Sequence, residues 1–288
     1  MTFGNRSFGP TRAASAAFAL AVVACIVGAG CAESSPRADV TPIVYVGSST
    51  IGDHVIPEAA RAFAEKTGIE VRESATRGSG VGIETILAGK ADVAGVAREL
   101  TLDEKQLAVE YTIVGYDAIR VFVHQSNPVE RLDEAQLRGI FAGDVRSWRE
   151  VGGNDAPIVC ITQVWGAQRA QMVDLQKQLL RGAAFRPDRK ECDRQSDEVR
   201  ALADEPNGIT LVSAAYAGAE LKAITLAGAV QDRHGLKLGT LRLSRPLLLL
   251  TPVDSRPAAK QFVQFLLSPE GQAIVAHKFI PLRPTGSS

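Results

Sequence analysis

The sequence has no excess of either charge: Lys and Arg together number 32, as do Asp and Glu, among 288 residues. No global field draws the chain to nucleic acid or to an anionic membrane. Cysteine is scarce, at four, which excludes a disulfide-dense miniprotein. The 26 glycines and 14 prolines follow no period, which excludes collagen. The four histidines, at 54, 124, 234 and 277, are scattered without metal-ligand spacing. No serine stands in a G-x-S-x-G elbow. Gly78–Ile83 lacks the third glycine of a dinucleotide fingerprint, and Gly89-Lys90-Ala91 lacks the flanking residues of a P-loop. These absences argue against an enzyme and against a cofactor. What is present, 45 % hydrophobic and 22 % charged residues, is the composition of a globular protein.

Long apolar stretches are equally rare. One begins after Arg6 and Arg12 and runs from Ala13 to Gly30. Basic residues followed by an apolar run make an export signal. Its Ala and Gly content makes it a weak span for a hydrocarbon core of about 30 Å, the competing interpretation. Residues 1–30 are read as the signal and 31–41 as a polar tether. Cys31, after Gly28-Ala29-Gly30 and before Ala32-Glu33-Ser34-Ser35-Pro36, resembles a bacterial lipoprotein processing site. Cys25 is the alternative, and simple secretion is another. Membrane contact would then be through a lipid anchor only, on a periplasmic or cell-surface protein. Cys160 and Cys192 are the other two cysteines, and a disulfide or two separate thiols are both open.

From residue 43 onward, short apolar runs alternate with helical patterns. Strands are expected at Ile43–Val46, Ile69–Glu73 and Asp92–Val96, with helices at His54–Lys66 and Gly82–Ala88 between them. Such alternation implies a parallel sheet covered by helices. Two long β-type runs, Tyr111–His124 and Leu241–Thr251, bracket a second α/β set. In that set, helices are expected at Asp133–Phe141, Gln168–Leu180 and Asp197–Ala203, and strands at Pro157–Ile161 and Gly208–Val212. Helices at Ala258–Leu267 and Gly271–Lys278 close the chain. The expectation is an α/β protein of two lobes joined by a two-stranded hinge. Lobe I would hold residues 42–118 and 241–288, lobe II residues 119–240, with the ligand in the cleft between them.

Several motifs are more specific. Gly47-Ser48-Ser49-Thr50 and Gly78-Ser79-Gly80 each end a strand and open a helix. Tyr116-Asp117-Ala118-Ile119 starts the first hinge run and Ser244-Arg245-Pro246-Leu247 the second. Leu137-x-x-Ile140-Phe141-x-Gly143 leads to Trp148 and Val151-Gly152-Gly153, and Leu267-Ser268-Pro269-Glu270-Gly271 joins the last helices. In their order and spacing these resemble the phosphate-binding proteins of phosphate-specific ABC transporters, of the type II periplasmic-binding-protein fold. The resemblance covers about residues 43–283. It implies a monomeric solute-binding protein that captures inorganic phosphate or another oxyanion and presents it to ABC-transporter permease subunits.

The resemblance implies a ligand held by Thr50, the Ile51 backbone and Ser79, beside Ser49, Gly78 and Gly80. Helix N-termini expose unpaired N–H groups and partial positive charge, so a nearly neutral chain can hold an anion there. Ordinary capping by Ser and Thr is the competing explanation. Other positions depart from the family. Ala97 stands where a polar acceptor is usual, and Thr162 where an Arg is usual. Gly166, Ala167 and Gln168 replace a Ser-Gly-Thr turn, beside Trp165. Three hydrogen bonds to a charged ligand are worth about 4.5–9 kcal/mol if additive, against about 8 kcal/mol for a micromolar site. Backbone N–H groups of the Gly166–Gln168 turn, with Arg77, Arg98 or Arg169, are the candidate replacements. A sensor or interaction module that kept the fold with a lost or redirected site is the alternative function. Trp165 would either stack on a ligand or pack on the neighbouring helix, and Trp148 belongs to the core.

Ala97 generates a prediction. An acceptor at that position would bond the proton carried by phosphate and repel fully ionised sulfate; alanine does neither. Sulfate should displace bound phosphate in a competition titration, and tight phosphate binding that excess sulfate leaves untouched would refute this.

Overall fold

The computed structural model describes residues 41–282 apart from 167–169, 233–234 and 240. Residues 1–40, which include Cys25 and Cys31 and all but the last residue of the expected signal and tether, lie outside the described residues, as do Ala167, Gln168 and Arg169. The described residues belong to one compact unit, Asp39–Ser288.

The chain opens with β1 (Ile43–Gly47), α1 (Ser49–His54), α2 (Ile56–Thr67), β2 (Val71–Arg77), α3 (Ser79–Leu87) and β3 (Val93–Val96). A 16-residue strand, β4 (Val109–His124), follows. Next come β5 (Arg131–Leu132), α4 (Glu134–Ala142), β6 (Val159–Gln163), α5 (Ala170–Asp174), β7 (Lys190–Cys192), α6 (Gln195–Ala203) and β8 (Gly208–Ser213). Short strands β9 (Leu221–Ala223), β10 (Thr225–Leu226), β11 (Ala229–Asp232), β12 (Gly235–Leu238) and β13 (Leu241–Arg242) lead to β14 (Ser244–Pro252). Helices α7 (Pro257–Leu267) and α8 (Pro269–Ala276) end the fold.

One nine-stranded sheet runs in the order β2-β1-β3-β14-β4-β8-β6-β7, with β9 also on β4. β4 serves both halves. Its first part, Val109–Ala118, pairs antiparallel with β14, and Ile119–Val123 pairs antiparallel with β8. Period-2 side-chain alternation then sets the cores. Leu247 and Leu249 face one core with Phe63 and Phe262, while Leu248 and Leu250 face another with Ile83 and Ile86. In the other half, Val121 and Val123 join Leu137, Phe141 and Trp148, while Phe122 joins Ile161 and Leu202. Helices thus cover both faces, and β14 is buried along almost its whole length.

Local chemistry sets the boundaries. Gly68 ends α2 in the left-handed conformation, at φ 74°. Asp133 and Gln136 form a capping box on α4. Ser268 caps α8 ahead of Pro269. The helix expected over His54–Lys66 is α2, whose first turn Pro57 suits, and a further short helix, α1, precedes it with only Val55 between them. The Gly82–Ala88 pattern marks only the apolar end of α3, which begins at Ser79. The helix expected over Gln168–Leu180 is α-helical to Asp174 and then a π-turn, Leu175–Leu179.

Cys160 and Cys192 are free thiols. Cys192 stands opposite Gln163 on β6, three residues along from Cys160, a separation of about 10 Å at strand rise and too long for a disulfide. Cys160 faces the Trp148 core and Cys192 packs on the opposite cluster. Burial pushes the Cys160 thiol up to about 11.

The turns that deliver the helix starts depend on close backbone approach. Gly47 sits at φ 126°, and a Cβ there would lie 2.3 Å from the Gly95 carbonyl oxygen on β3. Backbone cannot swing away as a side chain can, and the conformation itself disfavours a side chain. Gly47→Ala should therefore destabilise the fold by about 1–3 kcal/mol or more, read as a lowered urea midpoint; an unchanged midpoint would refute the close approach.

Candidate functional site

Three helix N-termini meet on one small cavity of about 30 Å³. Helix α1 contributes Ser49 and Thr50 with the preceding Ser48, and α3 contributes Ser79 with its N-cap Gly78. From the other half of the sheet come Gln195, the first residue of α6, Gln163 at the end of β6, and Gln171 of α5. Ala97, just beyond β3, and Arg245, on β14, complete the lining. The first N–H groups of a helix have no acceptor within it, so α1, α3 and α6 turn donors and partial positive charge toward this space.

The hydroxyls are prepared as donors. A hydroxyl offers one proton and two acceptor positions. Thr50 Oγ1 accepts from Gln195 Nε2 at 3.4 Å and from Arg245 Nη2 at 3.3 Å. Ser79 Oγ accepts from the Ala97 backbone N–H at 3.2 Å. Neither hydroxyl has an acceptor for its own proton among the described residues, and both side chains are buried. Gln195 is itself fixed, accepting from the Ser213 N–H at 2.8 Å. Tyr216 also donates to the Asp53 carboxylate of α1, at 2.8 Å.

Charge at the cavity comes from Arg245, the one cation lining it among the described residues; no carboxylate does. Arg245 donates to Asp117 at 2.9 and 3.0 Å, and Ser213 donates to the other Asp117 oxygen at 2.6 Å. Burial pushes the Asp117 carboxyl up, against the downward pull of Arg245 and Ser213. The cavity therefore offers N–H, O–H and guanidinium donors and suits a small acceptor-rich ligand. Gln171 Oε1 is its one buried side-chain oxygen without a partner.

Of the residues expected at the site, Ser49, Thr50, Gly78 and Ser79 line the cavity. Ile51 places its side chain in the core, and neither it nor Gly80 lines the space. Arg98 is a correction: its guanidinium holds Glu104 at 2.6 and 2.7 Å and does not line the cavity. Gly166 stands in open space away from it. Thr162 is buried and donates to the Gln163 carbonyl. Trp165 is 47 % exposed and donates to Gln176 of the π-turn at 3.2 Å, whereas Trp148 is core. Gln163, Gln171 and Gln195 are additions that no local motif singled out, and Arg245, part of the Ser244–Leu247 motif, joins them at the cavity.

A family model described as a PBP superfamily domain matches residues 32–270. The chain belongs to the PBP superfamily. This is a family of substrate-binding proteins, and the fold is the type II periplasmic-binding-protein fold. The chain is 26 % identical to the phosphate-binding protein PstS of Pseudomonas aeruginosa over 92 % of its own length and 93 % of that protein. It is 32 % identical to phosphate-binding protein PstS 2 of Streptococcus agalactiae, but over 38 % of this chain, and the match spans only 37 % of that relative. A putative phosphate ABC transporter substrate-binding protein from Clostridium perfringens, solved with bound phosphate, superposes with a TM-score of 0.74 at 25 % identity, covering 84 % of this chain and all of that one. Within the superfamily, the chain's kin are thus phosphate-binding proteins. Among the described residues, no helix is long and apolar enough to cross a membrane.

His54, at the end of α1, contacts the Tyr216 ring edge-on at 4.4 Å, and its Nε2 is buried without a partner. Burial holds its pKa below 6.5, offset in part by Asp53. The unfolded chain then binds this proton first, so stability is complete above about pH 6.5 and falls as pH drops toward the lowered native value. His54→Gln should flatten that limb of the urea midpoint against pH; an unchanged slope would refute the assignment.

Proposed function

We propose that the chain is an extracytoplasmic solute-binding protein that captures inorganic phosphate for uptake by an ABC transporter, without covalent chemistry. The observation that carries this reading is the pair of buried hydroxyls, Thr50, which accepts from two N–H donors, and Ser79, which accepts from one. Their protons are left for a ligand with several oxygen acceptors, next to helix N-termini and Arg245. A cavity of about 30 Å³ supports a small ion at this point. The names and bound phosphate of the relatives agree with it.

In this reading, residues 42–118 with 241–288 form one lobe and 119–240 the other, and the β4–β14 pair is the hinge about which they close. Ser49, Thr50 and Ser79 are donors from the first lobe, Gln195 and Gln163 polar groups from the second, and Arg245 the hinge cation. Export by residues 1–30, a lipid on Cys31, a monomeric state and delivery to permease subunits belong to the same proposal.

Isothermal titration of the ligand-stripped protein with phosphate tests it. Micromolar binding is expected. Each of Thr50→Val and Ser79→Ala removes a hydrogen bond to a charged ligand, worth about 1.5–3 kcal/mol, and should weaken binding about ten- to a hundredfold. Absence of heat and of any thermal shift with phosphate would refute the reading.

A further inference from the structure

Beside the anion cavity lies a larger one of about 280 Å³, and the two share Gln171 and Arg245 in their linings. The larger chamber is walled by apolar groups, among them Ile119, Leu175, Leu211 and Leu241. Its polar lining includes a buried amide oxygen and two carboxylates. Gln171, only 5 % exposed, donates its Nε2 to the Leu211 carbonyl, which fixes the amide so that Oε1 faces away from that bond. That oxygen is buried with no partner. Asp174 and Glu99 add two carboxylates. Of the two lining arginines, Arg245 is already paired with Asp117; it also acts on Asp174, as do Arg98 and Lys177, and Gln178 donates a hydrogen bond to Asp174.

The backbone presents this face deliberately. Asp174 is the last residue of α5 and is followed by the π-turn Leu175–Leu179, whose Leu175 and Gln178 also line the chamber. The extra residue of a π-turn re-aims side chains, and such turns recur at functional sites. Inorganic phosphate seated at Thr50 and Ser79 gives this chamber nothing to hold, and a buried acceptor without a donor is destabilising.

We propose that the site takes a phosphate monoester or a phosphonate bearing a short amine-terminated substituent. The phosphoryl group occupies the small cavity, and the ammonium reaches Asp174, Gln171 Oε1 and, at the rim, Glu99. The inference rests on the reading above that Thr50 and Ser79 hold a phosphoryl group, and it shifts the preferred ligand from inorganic phosphate to an amine-bearing ester or phosphonate.

The test is isothermal titration of the ligand-stripped protein with inorganic phosphate, ethylphosphonate, 2-aminoethylphosphonate and phosphoethanolamine. The two amine-bearing ligands should bind at least tenfold tighter than phosphate and ethylphosphonate. Asp174→Asn and Glu99→Gln should remove that advantage while leaving inorganic phosphate within twofold of the parent protein. Glu99 is exposed, so its variant carries the comparison if Asp174→Asn does not fold. Phosphate binding with no preference for the amines overturns this inference and leaves the phosphate reading standing. A preference that neither substitution touches overturns the placement in this chamber. No binding by any of the four ligands overturns both readings.

Discussion

The ion pair between Arg245 and Asp117 is the constraint on which the site depends. The two residues stand directly opposite each other on β14 and β4, the strands common to both halves of the sheet. Asp117 is fully buried and Arg245 nearly so. Withdrawing two charges from water is costly, and their attraction compensates only when the remaining donors and acceptors are also satisfied. Ser213 from β8 and Thr50 from α1 supply those bonds. The pair is thereby held from both sides, and the register of β4 against β14 fixes where the guanidinium meets the cavity.

Recognition around this pair relies on dipoles. Strands β1 and β2 end in Gly47 and beside Gly78, both at φ values that a side chain resists, and each turn delivers a serine-bearing helix start. Since Asp117 cancels most of the charge on Arg245, the attraction for an anion comes from N–H and O–H groups already oriented before a ligand arrives. Such groups need no reorganisation on binding, which is where affinity in a compact, nearly neutral protein is gained.

Most of the fold was legible in the sequence because it is written in local periodicity. The Leu247–Leu250 run and Ile119–Val123 alternate between two cores, and Gly68 and Asp133 bound their helices. Where the sequence misled, a tertiary effect intervened. Arg98 was read as a cation for the ligand, but Glu104, six residues on, holds it. At the site, Thr50 and Ser79 were visible because strand-Gly-Ser-helix junctions are local. Gln163, Gln171 and Gln195 were not, since an isolated glutamine has no motif and these three meet only through the stacking of β6, α5 and α6. Arg245 belongs to the Ser244–Leu247 motif, yet its reach to Thr50 is a property of strand register.

The position of the two thiols has a consequence for how the chain is made. Cys160 and Cys192 lie on opposite faces of β6 and its neighbour, so no cross-link between them supports the architecture, and every cluster described above is closed by apolar contacts and backbone ladders. Among the described residues, then, these clusters close without a disulfide, and Cys160 and Cys192 place no demand on an oxidant or a disulfide isomerase.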